Sequence, residues 1–260
     1  MIMFIYTVPL SIINFYFFKG SLSDLLFISH SPYWFMRQYL FLYLFAPIIN
    51  YYFDNVSFKK KMYFIIILSF ISIYCCTLLK GRVEFEQGKN LVNFTLLYCI
   101  GKLLNLYSPK FKTIPILLLI LLFLTLNIVE VFLFSISSSS ISSVIWQLSF
   151  PYYSPLLILN SIIIFIIFSK LNFSSLTINK IAKSTLAVYL IHFHPLIVSK
   201  LFGIIPLYLI NLNWGFLGLF VSLSLYALSV MIICIGIDFL LKPIYNYFSQ
   251  IISQKVSLSL

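Results

Sequence analysis

The sequence has few charged residues and no cysteine motif, and each of these features excludes a class of protein. Only 9% of its 260 residues are charged and 62% are hydrophobic, whereas an average soluble domain has about 25% charged residues. The four cysteines form neither a disulfide framework nor a CxxC metal pattern, so we interpret them as small packing residues. This composition excludes a soluble domain and indicates an integral membrane protein.

Apolar runs recur along the whole chain, and each is long enough to cross a hydrocarbon core of about 30 Å as a helix. We predict an all-α fold, a polytopic transmembrane bundle of about eight helices in a single domain over residues 1–260. The predicted spans are about residues 2–18, 33–53, 62–79, 91–107, 114–134, 154–169, 181–202 and 214–241. The serine-rich segment 135–143 is predicted to be a loop.

The formal net charge of +11 does not indicate nucleic-acid binding. Lysine and arginine stand in short clusters between apolar runs rather than along one polar face, which is typical of charges that set membrane topology. With a cytoplasmic N-terminus, ten basic residues fall in inner segments and five in outer loops. We therefore predict a multi-pass protein of a bacterial plasma membrane, with both termini cytoplasmic.

His192 lies inside a strongly apolar run, where the cost of burying an ionisable ring in lipid suggests a purpose. In a helix over residues 181–202 it would lie about 12 to 13 Å from either end, near the bilayer midplane. His194 is only two positions away, which does not fit paired metal ligands, so no metal is predicted. Pro195 predicts a kink beside His192. Two interpretations stay open: a proton-handling or substrate-orienting histidine, or a histidine bonded to a neighbouring helix.

Four further charged residues lie inside predicted helices and away from the basic clusters that set topology. Arg37 and Glu130 share a depth near the outer ends of their helices, so they could form an ion pair lining an outward-facing cavity. The alternative is that each side chain snorkels separately to the interface. Lys102 is interpreted as a snorkelling residue, and Asp238 as the partner of Lys242 one turn away.

Three segments, in this order along the chain, resemble acyltransferase family 3, whose members are membrane enzymes. Residues 33–37 (YWFMR), followed by Tyr43 and Pro47, resemble its tryptophan-led helix. Residues 94–101 (FTLLYCIG) are similar to its aromatic-to-glycine helix, and residues 188–192 (VYLIH) to its late YLIH segment. Together the segments extend across nearly the whole chain.

The resemblance implies transfer of an acyl group, often acetyl, from acyl-CoA to a hydroxyl of a cell-surface glycan or lipid-linked sugar. The expected partners are therefore membrane lipid and this acceptor. The resemblance makes His192 the candidate general base and Arg37 an anion or substrate contact. Trp34 is expected to stack on the sugar or acyl group, and Glu130 is the second candidate substrate-binding residue.

The family usually has about ten helices, the first of which carries an arginine followed by a histidine. No arginine precedes Arg37 here, and His30 is predicted to lie in a loop. The chain thus resembles the later eight helices and is expected to be N-terminally truncated relative to the family. Tyr39 stands where some members carry a glutamate. The alternative function is a transporter or flippase for a lipid-linked saccharide, which would show a continuous alternating-access cavity.

Overall fold

The computed structural model describes residues 2–18, 33–78, 86–107, 113–137, 139–171, 174–198, 204–212 and 214–257. Secondary structure in these segments is helical and includes no strand, which confirms the predicted all-α class. His30 and several loop cations used to predict the orientation lie outside the described residues, namely Lys19, Lys80, Arg82, Lys110, Lys112 and Lys200.

The first six predicted spans match helices to within a few residues. The helices are α1 (Ile2–Phe18), α2 (Trp34–Asn55), α3 (Phe58–Leu78), α4 (Leu91–Leu106), α5 (Ile116–Ile136), α6 (Ser139–Ser149), α7 (Pro155–Ser169), α8 (Leu176–Ala182), α9 (Thr185–His192), α10 (Ile204–Asn211) and α11 (Gly215–Ser257). A 3₁₀ turn at Glu86–Gly88 precedes α4, and a helical turn at Pro195–Ile197 follows α9.

Two of the described helices are long and apolar enough to cross a membrane, over Ile116–Ile136 and Leu217–Tyr247. Helices α4 and α7 are apolar but have only 16 and 15 residues. Little of either long span is buried inside the protein. Such exposed apolar faces suit a lipid solvent, which accepts hydrophobic side chains without penalty. The number of membrane passes remains a prediction.

Two of the expectations about secondary structure were wrong. The serine-rich segment contributes to helix α6, because Ile141, Val144, Ile145 and Leu148 follow the i, i+3, i+4, i+7 spacing of an apolar helix face. The span predicted over residues 181–202 is not one helix: the described part is divided into α8, α9 and the turn at Pro195–Ile197. Helix α10 was not predicted.

The chain forms two compact units. The first contains residues 1–34 and 174–260, and the second contains residues 35–173. Within the first unit, α9 packs against α1 and α11, and α10 packs against α11. Within the second, α3 packs against α4, and α5, α6 and α7 pack against one another.

A buried amide ties two loops of the second unit together. Asn93 is fully buried on α4, and its Nδ2 donates to the carbonyl oxygens of Gly88 and Tyr152, each at 3.1 Å. Its Oδ1 accepts from the hydroxyl of Ser72 on α3 at 3.3 Å. Asn90 caps α4 by accepting the amide proton of Asn93 at 2.9 Å. These bonds satisfy backbone carbonyls that neither loop satisfies by itself.

Gly88 is required where the two loops meet. Its φ of +81° lies in the left-handed region, which side chains other than glycine adopt only under strain. A Cβ added there would stand 2.8 Å from the backbone nitrogen of Tyr153. The preceding residue, Gln87, also has a positive φ, and its carbonyl accepts the amide proton of Tyr152 at 2.9 Å.

We expect Gly88→Ala to lower the free energy of unfolding by about 2 kcal/mol or more, because it combines left-handed strain with a backbone clash. The matched control is Gly101→Ala, since a Cβ at that helical position meets nothing within 4 Å. The measurement is the thermal midpoint of the purified protein in detergent. Equal midpoints for the two variants would contradict this account of the loop.

Candidate active site

Helix α9 is short because residues at both of its ends favour a break. Lys183 closes α8, and the carbonyl of Ser184 accepts the first helical bond of α9 from Val188 at 3.0 Å. At the other end, Pro195 has no amide proton and disfavours a helical residue before it, so His194 is extended with ψ of 133°. His192 is therefore the last residue of an eight-residue helix. The prediction that it lies deep within one long helix was wrong.

The break changes the hydrogen bonding of the last carbonyls of α9. The amide of His194 donates to the carbonyl of Ile191 at 3.2 Å instead of to that of Leu190. The hydroxyl of Tyr33 donates to the Leu190 carbonyl at 3.2 Å and so replaces the lost helical donor. Tyr33 is almost completely buried, and its ring lies against those of Tyr189 and His194. A side chain thus fixes the C-terminal end of α9.

His194 is completely buried, and both of its ring nitrogens have partners. Nδ1 accepts the amide proton of Leu196 at 3.3 Å, which caps the turn at Pro195–Ile197. Nε2 lies 3.2 Å from the hydroxyl oxygen of Ser11 on α1. Because Nδ1 accepts a hydrogen bond, it carries no proton of its own. The proton of the neutral ring is therefore on Nε2, which donates a hydrogen bond to Ser11. Sequence reasoning considered His194 only as a metal ligand and missed this role.

His192 has the opposite tautomer. Its Nδ1 lies 2.6 Å from the carbonyl oxygen of Val188, which can only accept, so Nδ1 carries the proton. The lone pair is then on Nε2, which has no hydrogen-bond partner among the residues that the structure describes. The ring is partly buried and packs edge-on against Tyr189 and Phe193. His192 is therefore held by its own helix and not by a neighbouring one.

Helix α1 presents a polar stripe within the first unit. Tyr6, Thr7, Ser11 and Asn14 are all buried, and the steps of four and three residues from Thr7 to Ser11 to Asn14 place these three on one helix face, next to Tyr6. Helix α1 packs against α9 and the turn at Pro195–Ile197. Polar residues at helical spacing in an otherwise apolar segment were the sequence signal for this stripe, and the sequence analysis did not use it.

Asp238 joins three helices of the first unit. It is buried on α11, and its Oδ1 accepts from the hydroxyl of Tyr6 at 2.5 Å. Its Oδ2 accepts from the hydroxyl of Ser184, next to α9, at 2.6 Å. The predicted partner, Lys242, instead lies 5.6 Å from the ring centre of Phe239. The predicted pairing was wrong because two buried hydroxyl groups occupy the carboxylate.

In the second unit, Lys102 is also bound rather than free to snorkel. Its Nζ lies 2.9 Å from Oδ1 of Asp54 and donates to the side-chain and backbone oxygens of Asn50 at 3.0 and 3.1 Å. These contacts join α4 to the C-terminal end of α2. Lys102 has a structural role, as predicted, but it is bound by Asp54 and Asn50 instead of reaching the membrane interface.

The other predicted site residues lie at different places along the chain. Trp34 is the first residue of α2, and Arg37 is in the first turn of the same helix. Glu130 is on α5. All three side chains are partly buried. Arg37 and Glu130 are both described, and no ion pair joins them, so the structure does not support that pairing.

We expect Asp238→Ala to destabilise the protein by about 3 kcal/mol, because two hydrogen bonds to a charged acceptor are lost and two hydroxyl groups stay buried. Lys242→Ala is the matched control on the same helix and should cost less than about 1 kcal/mol. Thermal midpoints in detergent give the comparison. A larger loss for Lys242→Ala would show that the carboxylate does not hold these helices.

The family comparison agrees with these motifs. The model of acyltransferase family 3, described as an acyltransferase domain, matches residues 1–237, which include α1 to α10 and most of the apolar part of α11. No curated protein and no solved structure matches the chain significantly. Because the family model covers far more than half of the sequence, the chain belongs to acyltransferase family 3, a family of membrane-embedded acyltransferases.

Proposed function

We propose that this membrane acyltransferase transfers an acyl group, acetyl in the simplest case, from acyl-CoA to a hydroxyl of a cell-surface glycan or lipid-linked sugar. His192 is the general base in this proposal. The observation that carries it is the bond from Nδ1 to the Val188 carbonyl, because this bond fixes the ring with a lone pair on Nε2. A base needs such a lone pair within reach of the proton that it removes.

The proposed reaction is a single acyl transfer. Nε2 of His192 takes the proton of the acceptor hydroxyl as its oxygen attacks the thioester carbonyl. The carbon–sulfur bond then breaks, and the CoA thiolate takes the proton from the imidazolium to leave as free thiol. The bond from Nδ1 to Val188 keeps the ring oriented and stabilises the positive charge that forms on it.

His194 does not suit the role of base. Its Nδ1 accepts a backbone amide proton and its Nε2 proton points to Ser11, so it has no lone pair directed at a substrate. It is also completely buried, whereas His192 is partly buried. We therefore assign His194 a structural role in holding the turn at Pro195–Ile197 against α1.

We further propose that Arg37 binds a phosphate of a lipid-linked acceptor. A cation in the first turn of a helix is opposed by the helix dipole, and an anion bound there would relieve the repulsion. A guanidinium also binds phosphate in a bidentate manner. In the same proposal Trp34 stacks on the sugar or acyl group, and Glu130 binds acceptor hydroxyl groups.

Removing the base should abolish turnover without unfolding the protein. We expect His192→Asn to lower kcat by about 10²- to 10⁴-fold, which is the usual contribution of general-base catalysis. Asparagine can keep an amide donor near the position of Nδ1 but has no basic nitrogen. The measurement is transfer of radiolabelled acetyl from acetyl-CoA to lipid-linked glycan, by purified protein in nanodiscs.

The matched control for that prediction is His194→Asn. Asparagine is a good helix N-cap, so the turn at Pro195–Ile197 keeps an acceptor while the contact with Ser11 is weakened. We expect a lower thermal midpoint but a transfer rate within a few-fold of wild type for the folded protein. The reverse pattern, with full activity in His192→Asn and none in His194→Asn, would overturn the assignment of the base.

Arg37→Gln should raise the KM for the lipid-linked acceptor about tenfold or more, because a hydrogen bond to a charged group contributes about 1.5–3 kcal/mol. The KM for acetyl-CoA should change little, and Arg37→Lys should recover part of the loss. Steady-state kinetics with each substrate varied in turn separate the two constants. A rise confined to the KM for acetyl-CoA would show that Arg37 binds the donor.

A further inference from the structure

We propose that a cavity in the second unit binds the hydrocarbon chain of a membrane lipid. The cavity has a volume of about 390 Å³ and lies between α3, α4 and α7. All of its lining residues fall within residues 69–162, inside the second unit. The assignment is independent of the role proposed for His192, which lies in the first unit.

The lining residues show that the cavity is elongated along the helices. Pro155, Ile158, Leu159 and Ile162 line it from α7 at spacings of i, i+3, i+4 and i+7. Such a stripe covers two turns of one helix face and is about 10 Å long. The sequence predicts that α7 crosses the membrane, and membrane helices are tilted by only about 20° on average, so in that topology a cavity along α7 runs nearly parallel to lipid chains.

The other two helices line the cavity in the same manner. Leu96 and Ile100 are one turn apart on α4, and Ser69 and Ile73 are one turn apart on α3. Because the lining residues on each helix are one turn apart, the cavity is a slot that runs along the helices and not a round void. A linear alkyl chain can lie along such a wall, whereas a sugar ring or nucleotide would find few hydrogen-bond partners on it.

The chemistry of the wall selects a hydrocarbon occupant. Ser69 and Tyr153 are the two lining residues with a polar side-chain group, and the hydroxyl of Ser69 already donates to the carbonyl of Ile65 at 2.8 Å. Water needs two to four polar partners to occupy a buried site, and apolar cavities stay dry. The cavity is partly open to the surroundings of the protein, and its apolar wall gains dispersion contacts when a hydrocarbon chain fills it. A lipid chain supplies those contacts.

The wall also discriminates between two sources of an alkyl chain. Acyl-CoA carries a polyphosphate head, and such anions are bound by lysine or arginine. No lining residue in the described part of the chain is charged. A bilayer lipid supplies the same chain at far higher local concentration and leaves its head group at the interface. We therefore assign the occupant to a bilayer lipid.

The test is photolabelling of the purified protein in nanodiscs. One arm uses a phospholipid with a diazirine in the middle of one acyl chain, and the other uses a long-chain acyl-CoA with the same diazirine. Labelled positions are mapped by mass spectrometry of peptides. The assignment predicts that the phospholipid labels α4 at residues 96–100 more strongly than the exposed face of α5, whereas the acyl-CoA does not.

A cavity-filling substitution supplies the control. Ile162→Phe should reduce labelling of residues 96–100 several-fold, and Leu159→Phe should do the same if the first variant folds poorly. Ile164→Phe, on the exposed face of α7, should leave labelling unchanged. The proposal is overturned by equal labelling of α4 and α5, by labelling that survives both cavity variants, or by labelling from acyl-CoA alone. Acyl-transfer activity enters none of these readouts.

Discussion

Pro195 cannot donate a backbone hydrogen bond, and the geometry around His192 follows from where the neighbouring carbonyl groups find other donors. Leu190 and Ile191 are buried, so their carbonyl groups must find donors within the protein. The amide of His194 shifts to Ile191, and the Leu190 carbonyl takes the hydroxyl of Tyr33. One residue without an amide proton thus fixes the end of α9 and its contact with Tyr33.

Two histidines separated by one residue consequently have different hydrogen-bond partners. His194 lies in the extended residue before the proline, where its ring reaches the backbone of the next turn and becomes a cap. His192 is still helical, so its ring folds back on the carbonyl one turn earlier. Each contact decides which nitrogen holds the proton, and therefore which ring can accept one. Asp238 supports this arrangement by binding Ser184 at the other end of α9.

Much of the fold could be predicted from the sequence, because long apolar runs leave few alternatives to helices in a membrane. The predicted helix boundaries were wrong where local hydrogen bonding and proline geometry compete with hydropathy. The serine residues led to the prediction of a loop where α6 lies, although an apolar stripe was present. A kink was predicted at Pro195, whereas the helix ends before it. The segment over residues 181–202 is mostly apolar, and hydropathy alone does not reveal that its backbone is interrupted.

The candidate site was predicted only in part. His192 was chosen because an ionisable ring is costly in lipid, an argument that applies equally to His194 and cannot separate the two. Their tautomers depend on bonds to Val188 and Leu196, which follow from the exact position of the helix break. The partners of Asp238 are distant in sequence and needed the tertiary packing of α9 against α1 and α11.

Helix α11 has a consequence for what the enzyme presents to water. Its 43 residues extend about 65 Å, roughly twice the thickness of a hydrocarbon core. Even its apolar stretch, Leu217–Tyr247, is about 46 Å long, more than an ordinary tilt can accommodate. The helix is therefore longer than one bilayer crossing needs, and Pro243, which removes a helical hydrogen bond and favours a kink, lies about two-thirds of the way along it. The turns after Pro243 can thus leave the direction of the apolar stretch, so the excess length need not stay within the hydrocarbon core.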